Sequence, residues 1–221
     1  MKISRFTFNP YQEQCYLLSH GGKCVIIDPG CLGAGEEGTL TAAIESGAFA
    51  PKAILLTHAH FDHIYGVGAL VRRYGIPVYM GEGEEETLRS APLLARVTGM
   101  PAPDTSWESV TVQEGERLNF GEGLVLEVIA TPGHTPGGVC YHCPEQKLLF
   151  CGDTLFAGSI GRTDLPGGDY DKEIVSIMEK LIWLDGATEL FPGHGPGSTI
   201  ARERTRNPFL EPFNEREELD L

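Results

Sequence analysis

Four side chains able to bind a metal ion, His58, His60, Asp62 and His63, fall within the seven-residue stretch Thr57-His58-Ala59-His60-Phe61-Asp62-His63. They follow directly on the apolar run Ala53-Ile54-Leu55-Leu56. Such a run has the length and composition of a buried parallel strand, and the carboxyl ends of parallel strands are where α/β sheets present ligand-holding loops. If the chain stays extended through the motif, His58, His60 and Asp62 alternate onto one face, and His63 points elsewhere, towards a neighbouring metal.

Three more ligand-type residues each follow an apolar run. They are His134 in Thr131-Pro132-Gly133-His134-Thr135-Pro136-Gly137, Asp153 in Phe150-Cys151-Gly152-Asp153-Thr154, and His194 in Phe191-Pro192-Gly193-His194-Gly195-Pro196-Gly197. In the repeated Pro-Gly-His-x-Pro-Gly, glycine permits tight backbone geometry and proline stiffens the loop, so a histidine can be held in place without a helix beneath it. One tetrahedral site takes at most four ligands, and a structural zinc closes at that number. Two sites with three terminal ligands each, sharing one bridging carboxylate, use all seven residues, so the count favours a dinuclear centre. Imidazole suits zinc or iron, and a carboxylate can bridge two cations. The two remaining histidines, His20 and His142, carry no such signal. Asp28, also placed after a strand, reads as a turn or helix cap.

The elements that must position these residues alternate along the chain. Strands are expected at Ile3 to Phe8, Cys15 to Leu18 and Val25 to Ile27, with Asn9-Pro10 and Gly21-Gly22 as turns. A helix from about Glu36 to Ser46 precedes the strand Ala53 to Leu56 and the histidine motif. Next come a helix from Val67 to Tyr74, a strand from Val78 to Met80 and a helical stretch from about Glu84. Pro92 to Glu116 reads as an irregular connection with one short strand at Val110 to Val112. The second half repeats the rhythm: strands at Leu124 to Ile129, Val139 to Cys143 and Leu148 to Cys151, a helix from Lys172 to Leu184 with Ile174, Ile177, Met178 and Leu181 on one face, and a strand at Glu189 to Phe191. Two such halves predict an α/β fold of four layers, an αββα sandwich in which two sheets pack face to face with helices outside. At 221 residues the chain is compatible with one domain, residues 1–221.

His58-x-His60-x-Asp62-His63, followed in order by His134, Asp153 and His194, resembles the metallo-β-lactamase superfamily over nearly the whole chain. Asn9-Pro10, Asp28-Pro29-Gly30, the stretch from Leu155 to Asp164 and Asn207-Pro208-Phe209 resemble the glyoxalase II group within it, in particular its short bacterial type. The resemblance implies one metal held by His58, His60 and His134, a second by Asp62, His63 and His194, and Asp153 as the bridge. It further implies two divalent ions, zinc foremost with iron or manganese as alternatives, and a metal-bridging hydroxide that attacks an S-2-hydroxyacylglutathione-type thioester. Asp62 and Asp153 are then the carboxylates at the reacting centre, with Asp62 also able to orient the nucleophile or take up a proton. Arg162 and, after His194, Arg202, Arg204 and Arg206 are candidates for meeting an anionic thiol. The last three read equally well as solvated arginines paired with the Glu-rich tail from Glu211 to Glu218. The larger glyoxalase II enzymes carry a longer helical extension that this chain is too short to hold, which leaves the glutathione preference open.

Two rivals belong to other classes. A persulfide dioxygenase of the same superfamily would use a single iron at His58, His134 and Asp153, and Gly161-Arg162-Thr163-Asp164 also resembles that group. A metal-stabilised binding module without turnover would not need ligands in excess. An antibiotic-hydrolysing enzyme is disfavoured, because a secreted β-lactamase carries a signal peptide and the zinc β-lactamases lack the carboxylate that Asp153 supplies.

The formal net charge is −14, with 41% apolar side chains. That charge argues against nucleic acid or a membrane surface as partner and for a small-molecule thioester. The amino terminus lacks a signal-peptide pattern and no apolar run approaches the ~20 residues of a spanning helix, so a cytoplasmic protein is expected. The six cysteines follow no disulfide framework, and Cys140-Tyr141-His142-Cys143 lies in a strand without a second ligand pair. Nothing in the sequence specifies an oligomeric state.

Overall fold

Side-chain alternation along the central strands sorts residues into three cores, and that sorting defines the layers. In β2 (Glu13–His20) Cys15 and Leu17 face one way and Tyr16 and Leu18 the other. In β3 (Lys23–Ile27) Cys24 and Ile26 part from Val25 and Ile27 in the same way. Strands buried on both faces must be covered on both faces. One face packs against the second sheet and the other against helices.

The computed structural model describes residues 1–213. Its first sheet has the order β1-β2-β3-β4-β5-β6, with β1 Lys2–Phe8, β4 Ala50–Leu55, β5 Val78–Gly81 and β6 Ser109–Val112. β1, β2 and β3 pair antiparallel, whereas β3, β4, β5 and β6 run parallel. The connections carry α1 (Gly33–Ser46), the one-turn α2 (Phe61–Ile64), α3 (Val67–Tyr74) and α4 (Glu85–Val97). The second sheet, order β14-β13-β10-β9-β8-β7, comprises β7 Arg117–Asn119, β8 Val125–Ala130, β9 Val139–Cys143, β10 Leu148–Gly152, β13 Glu189–Pro192 and β14 Ser198–Thr199. A small hairpin, β11 (Leu155–Phe156) and β12 (Ser159–Ile160), stands beside it. α5 (Tyr170–Ser176) and α6 (Ile200–Arg206) belong to its outer side, where Ile177, Leu181 and Ile200 join Cys140, Leu149 and Cys151 in one core. The expected αββα sandwich is thus the observed fold.

The differences from the sequence expectations have local causes. α4 runs straight through Pro92. An interior proline costs ~3 kcal/mol or more; here the buried residues Thr87, Ala91 and Ala95 hold the helix to the core. The long helix expected from Lys172 starts earlier, at Tyr170, where the Asp169 side chain accepts from the Lys172 N–H. It widens at Ile177–Leu181 into a turn bonded from the Ile182 N–H to the Ile177 carbonyl, rather than running on to Leu184. The short strands β7, β11, β12 and β14 and the helix α6 carried no periodicity long enough to read. The Cys140-x-x-Cys143 pair cannot share one metal: Cys140 faces the outer core and Cys143 the core between the sheets.

Candidate metal centre

β4 opens the site. Its parallel neighbour β3 ends level with it, Ile27 opposite Leu55, β5 runs on from Tyr79 opposite Leu55 to Gly81, and past Leu56 the chain leaves the sheet carrying Thr57 and His58. The chain does not stay extended as far as Asp62. His60 is the last extended residue, at φ −64° and ψ 148°, and Phe61–Ile64 forms a helical turn. That turn corrects the expected alternation: Asp62 swings away from His58 and His60 and joins His63.

Among the described residues three groups of three result: Asp28 with His58 and His63, and two made only of residues singled out from the sequence. Ligand-type atoms of His58, His60 and His134 lie within 4.8 Å of one another, as do those of Asp62, His63 and His194. In the first group His60 Nδ1 stands 2.9 Å from His134 Nε2. In the second His63 Nε2 is 3.3 Å from His194 Nε2, and Asp62 Oδ2 is 3.3 Å from His194 Nε2. Asp153 lies between the groups. Its Oδ1 is 3.5 Å from His63 Nε2, and its Oδ2 is 3.7 Å from His134 Nε2 and 3.5 Å from His194 Nε2. All seven residues singled out from the sequence therefore meet at one place.

Partners behind the rings decide which nitrogen faces inward. His134 Nδ1 is 2.7 Å from the Arg162 carbonyl, and His194 Nδ1 is 3.0 Å from the Tyr11 carbonyl. A carbonyl only accepts, so each Nδ1 carries the proton and each Nε2 presents a lone pair. His63 Nδ1 meets Asp28 Oδ2 at 3.2 Å, with the same consequence. His58 Nδ1 meets the Thr57 hydroxyl at 3.1 Å, and that hydroxyl donates to Asp28 Oδ2 at 2.6 Å. His58 Nε2 and Asp153 Oδ1 are buried without a hydrogen-bond partner. Imidazole nitrogens that converge on one another and on the carboxylates of Asp62 and Asp153 fit a cation well.

The electrostatics divide along the same line. Burial, reinforced by neighbouring imidazoles, pushes His58 well below its ordinary range, and burial with His134 beside it takes His60 down to about 3. His134 is also lowered, mainly by burial. In the other group burial is outweighed. Asp153, Asp62 and Asp28 hold His63 well above its usual value, and the hydrogen bond to Asp62 together with Asp153 raises His194. Burial alone would raise Asp62, but His63 and His194 hold it below the usual carboxylate range.

Several residues that the sequence did not single out support this arrangement. Asp28, expected as a turn residue, is 2% exposed and accepts from both the N–H and the hydroxyl of Thr57 while contacting His63. Glu84 accepts from the Ala59 N–H at 2.8 Å and from the Gly137 N–H at 2.9 Å, so it ties the two histidine loops together. Glu173 accepts from the His134 N–H at 2.8 Å, and burial pushes its carboxyl up to about 8. Glu173 stands four residues before Ile177, on the buried stripe of its helix, a signal that was present in the pattern. Gly193 has another reason to be glycine than loop tightness: a Cβ there would collide with Asp153 Oδ1 and press on His63 Cε1.

The centre forms the floor of an open cavity of about 270 Å³, whose walls include Tyr11, Phe61, Leu94, Arg162 and Leu165. Of the candidate arginines, only Arg162 lines it. Arg204 donates to the carbonyls of Ile182 at 2.7 Å and Leu184 at 2.9 Å, and Arg202 borders a different groove. The pairing expected with the Glu-rich tail falls, beyond residue 213, outside the described residues.

A four-layer αββα sandwich with histidines and aspartates gathered at the strand ends defines a class of metal-dependent α/β proteins. The model of the metallo-beta-lactamase superfamily matches residues 8–194, and the chain belongs to that superfamily. Among its relatives is a probable metallo-hydrolase, YqgX of Bacillus subtilis (strain 168), 39% identical over 97% of this chain and 100% of the relative. Another is the hydroxyacylglutathione hydrolase GloC of Haemophilus influenzae, 37% identical over 95% of this chain and 98% of the relative. Two solved structures superpose closely. The BLEG-1 B3 metallo-beta-lactamase gives a TM-score of 0.86 at 38% identity, covering 95% of this chain and 100% of that one. TTHA1623 in a di-iron-bound form gives 0.84 at 40% identity, covering 94% and 100%. These likenesses support a metallohydrolase.

Proposed function

We propose that this protein is a dinuclear metallohydrolase that cleaves thioesters. One observation carries the reading: two ligand groups of three converge on a shared carboxylate at the floor of an open cavity. His58, His60 and His134 would hold one ion, Asp62, His63 and His194 the other, and Asp153 would reach both. When bound, two divalent cations make water a nucleophile near neutral pH and polarise the carbonyl under attack. The protein's own contribution is positional. Asp28, Thr57 and the carbonyls of Tyr11 and Arg162 fix the ring orientations, and Asp62 and Asp153 offset the cationic charge and orient the attacking oxygen. The C–S bond breaks as the C–O bond forms, giving a carboxylic acid and a thiol. A thiolate leaves without strong acid assistance.

The hydroxyacylglutathione hydrolase relative supports the thioester class. The B3 metallo-beta-lactamase neighbour favours a second reading, hydrolysis of a β-lactam amide by the same floor. A persulfide dioxygenase would need His58, His134 and Asp153 only, and would leave the convergence of Asp62, His63 and His194 without a use. The di-iron neighbour keeps iron beside zinc and manganese as the ion. The test is one metal-loaded preparation assayed with S-lactoylglutathione and other thioesters, with a penicillin, and for oxygen uptake with a persulfide. Thioester cleavage well above the other two is expected; oxygen uptake or β-lactam cleavage as the dominant activity would overturn it.

A further inference from the structure

The cavity above the metal centre differs in character from its floor. One wall is built by Tyr11, Phe61 and Leu94. The Tyr11 ring stands edge-on to Phe61 at 5.2 Å between centroids, Phe61 is itself 4% exposed, and Leu94 packs against the core beneath α4. Leu165 faces the cavity from the loop after β12. Among the described lining residues Arg162 is the one arginine or lysine, and its guanidinium is engaged by Asp164, with Nε 2.8 Å from Oδ1 and Nη2 2.8 Å from Oδ2. A bidentate carboxylate cancels the charge that an anionic substrate would otherwise meet. The rest of the molecule makes this worse for an anion, since the formal net charge is −14.

Along α4 the apolar character continues out of the cavity. Leu94 faces in, while Leu93 and Val97 of the same helix are 65% and 76% exposed. Burying such side chains against a ligand is favourable; burying a carboxylate there without a cation is costly. Such a wall favours a ligand body that is apolar and uncharged.

Resting on the thioesterase reading, we propose that the preferred substrate is a thioester with an apolar, uncharged body seated on the Tyr11–Phe61–Leu94 wall, rather than a conjugate of a thiol that carries free carboxylates. Three consequences are measurable. The metal-loaded protein cleaves an apolar thioester of N-acetylcysteamine, such as the phenylacetyl one, with kcat/KM at least about tenfold above that for S-lactoylglutathione. Leu94→Asn moves the ratio of those two values towards one, and Tyr11→Ser does the same should Leu94→Asn fold poorly. The uncleavable thioether of phenylethyl N-acetylcysteamine binds at least about tenfold tighter by calorimetry than the matching glutathione thioether.

The calorimetric arm separates the two readings. If the neutral thioether binds tighter but no thioester is cleaved, the apolar ligand class stands and the thioesterase reading falls. If the glutathione thioether binds tighter, or S-lactoylglutathione is the better substrate and both variants leave the ratio unmoved, the inference is overturned.

Discussion

Asp28 controls how His63 is presented. Its carboxylate accepts from both donors of Thr57 and contacts His63 Nδ1, so the lone pair of Nε2 faces the centre. An amide of the same shape cannot accept at both ends. Asp28→Asn is therefore expected to weaken metal binding at the Asp62–His63–His194 group by about 10- to 100-fold while the fold survives. Metal titration by calorimetry reads this directly, and an unchanged affinity would remove Asp28 from the account.

The two groups should also respond differently to acid. Neutral imidazole is the ligating form. His60, taken down to about 3, stays neutral in mild acid, whereas His63 and His194 are raised and take up protons at higher pH. Lowering the pH from about 8 to about 5 is thus expected to strip the Asp62–His63–His194 position first, leaving about one ion per chain at the histidine-only position. Elemental analysis after dialysis at each pH checks it; loss of both ions in a single step would contradict it.

At the scale of elements, separate loops are held in register by buried acids. Glu84 at the start of α4 accepts from Ala59 in one histidine loop and Gly137 in another. Removing its carboxylate strands two buried N–H groups, at about 1–3 kcal/mol each. Glu84→Ala is expected to destabilise the fold by about 2–5 kcal/mol in denaturant titration and to reduce metal occupancy. A loss below about 1 kcal/mol would show that the loops hold themselves.

What could be read from the sequence follows from how local each signal is. The ligands were legible because chemistry-bearing residues crowd into short motifs after apolar runs, as at His58 to His63 and around His134 and His194. Strand alternation alone puts Asp62 with the first two histidines, because it cannot foresee the one turn of helix starting at Phe61; the family resemblance instead groups Asp62 with His63 and His194, as the structure does. Asp28, a lone aspartate after a strand, looks like any turn residue until Thr57 and His63 are brought to it across the sheet. Glu84 is hidden for the same reason, whereas Glu173 could have been found as an acid on an apolar helical stripe.

At the scale of the whole molecule, the sandwich brings strand ends from both sheets to one place. β2 meets the His194 loop through the Gln14 N–H on the Gly193 carbonyl at 2.7 Å, and β9 meets the first histidine loop through the Val139 N–H on the Thr57 carbonyl at 2.8 Å. The sheets and the centre therefore support each other, and ions bound there would stabilise the folded chain. The most direct test of the central claim is metal content per chain, set beside thioester hydrolysis, in protein as purified, after chelation and after reloading. About two divalent ions per chain are predicted, with hydrolysis lost on chelation and restored on reloading. Full hydrolysis by metal-free protein, or full activity at no more than one ion per chain, would contradict a dinuclear hydrolase.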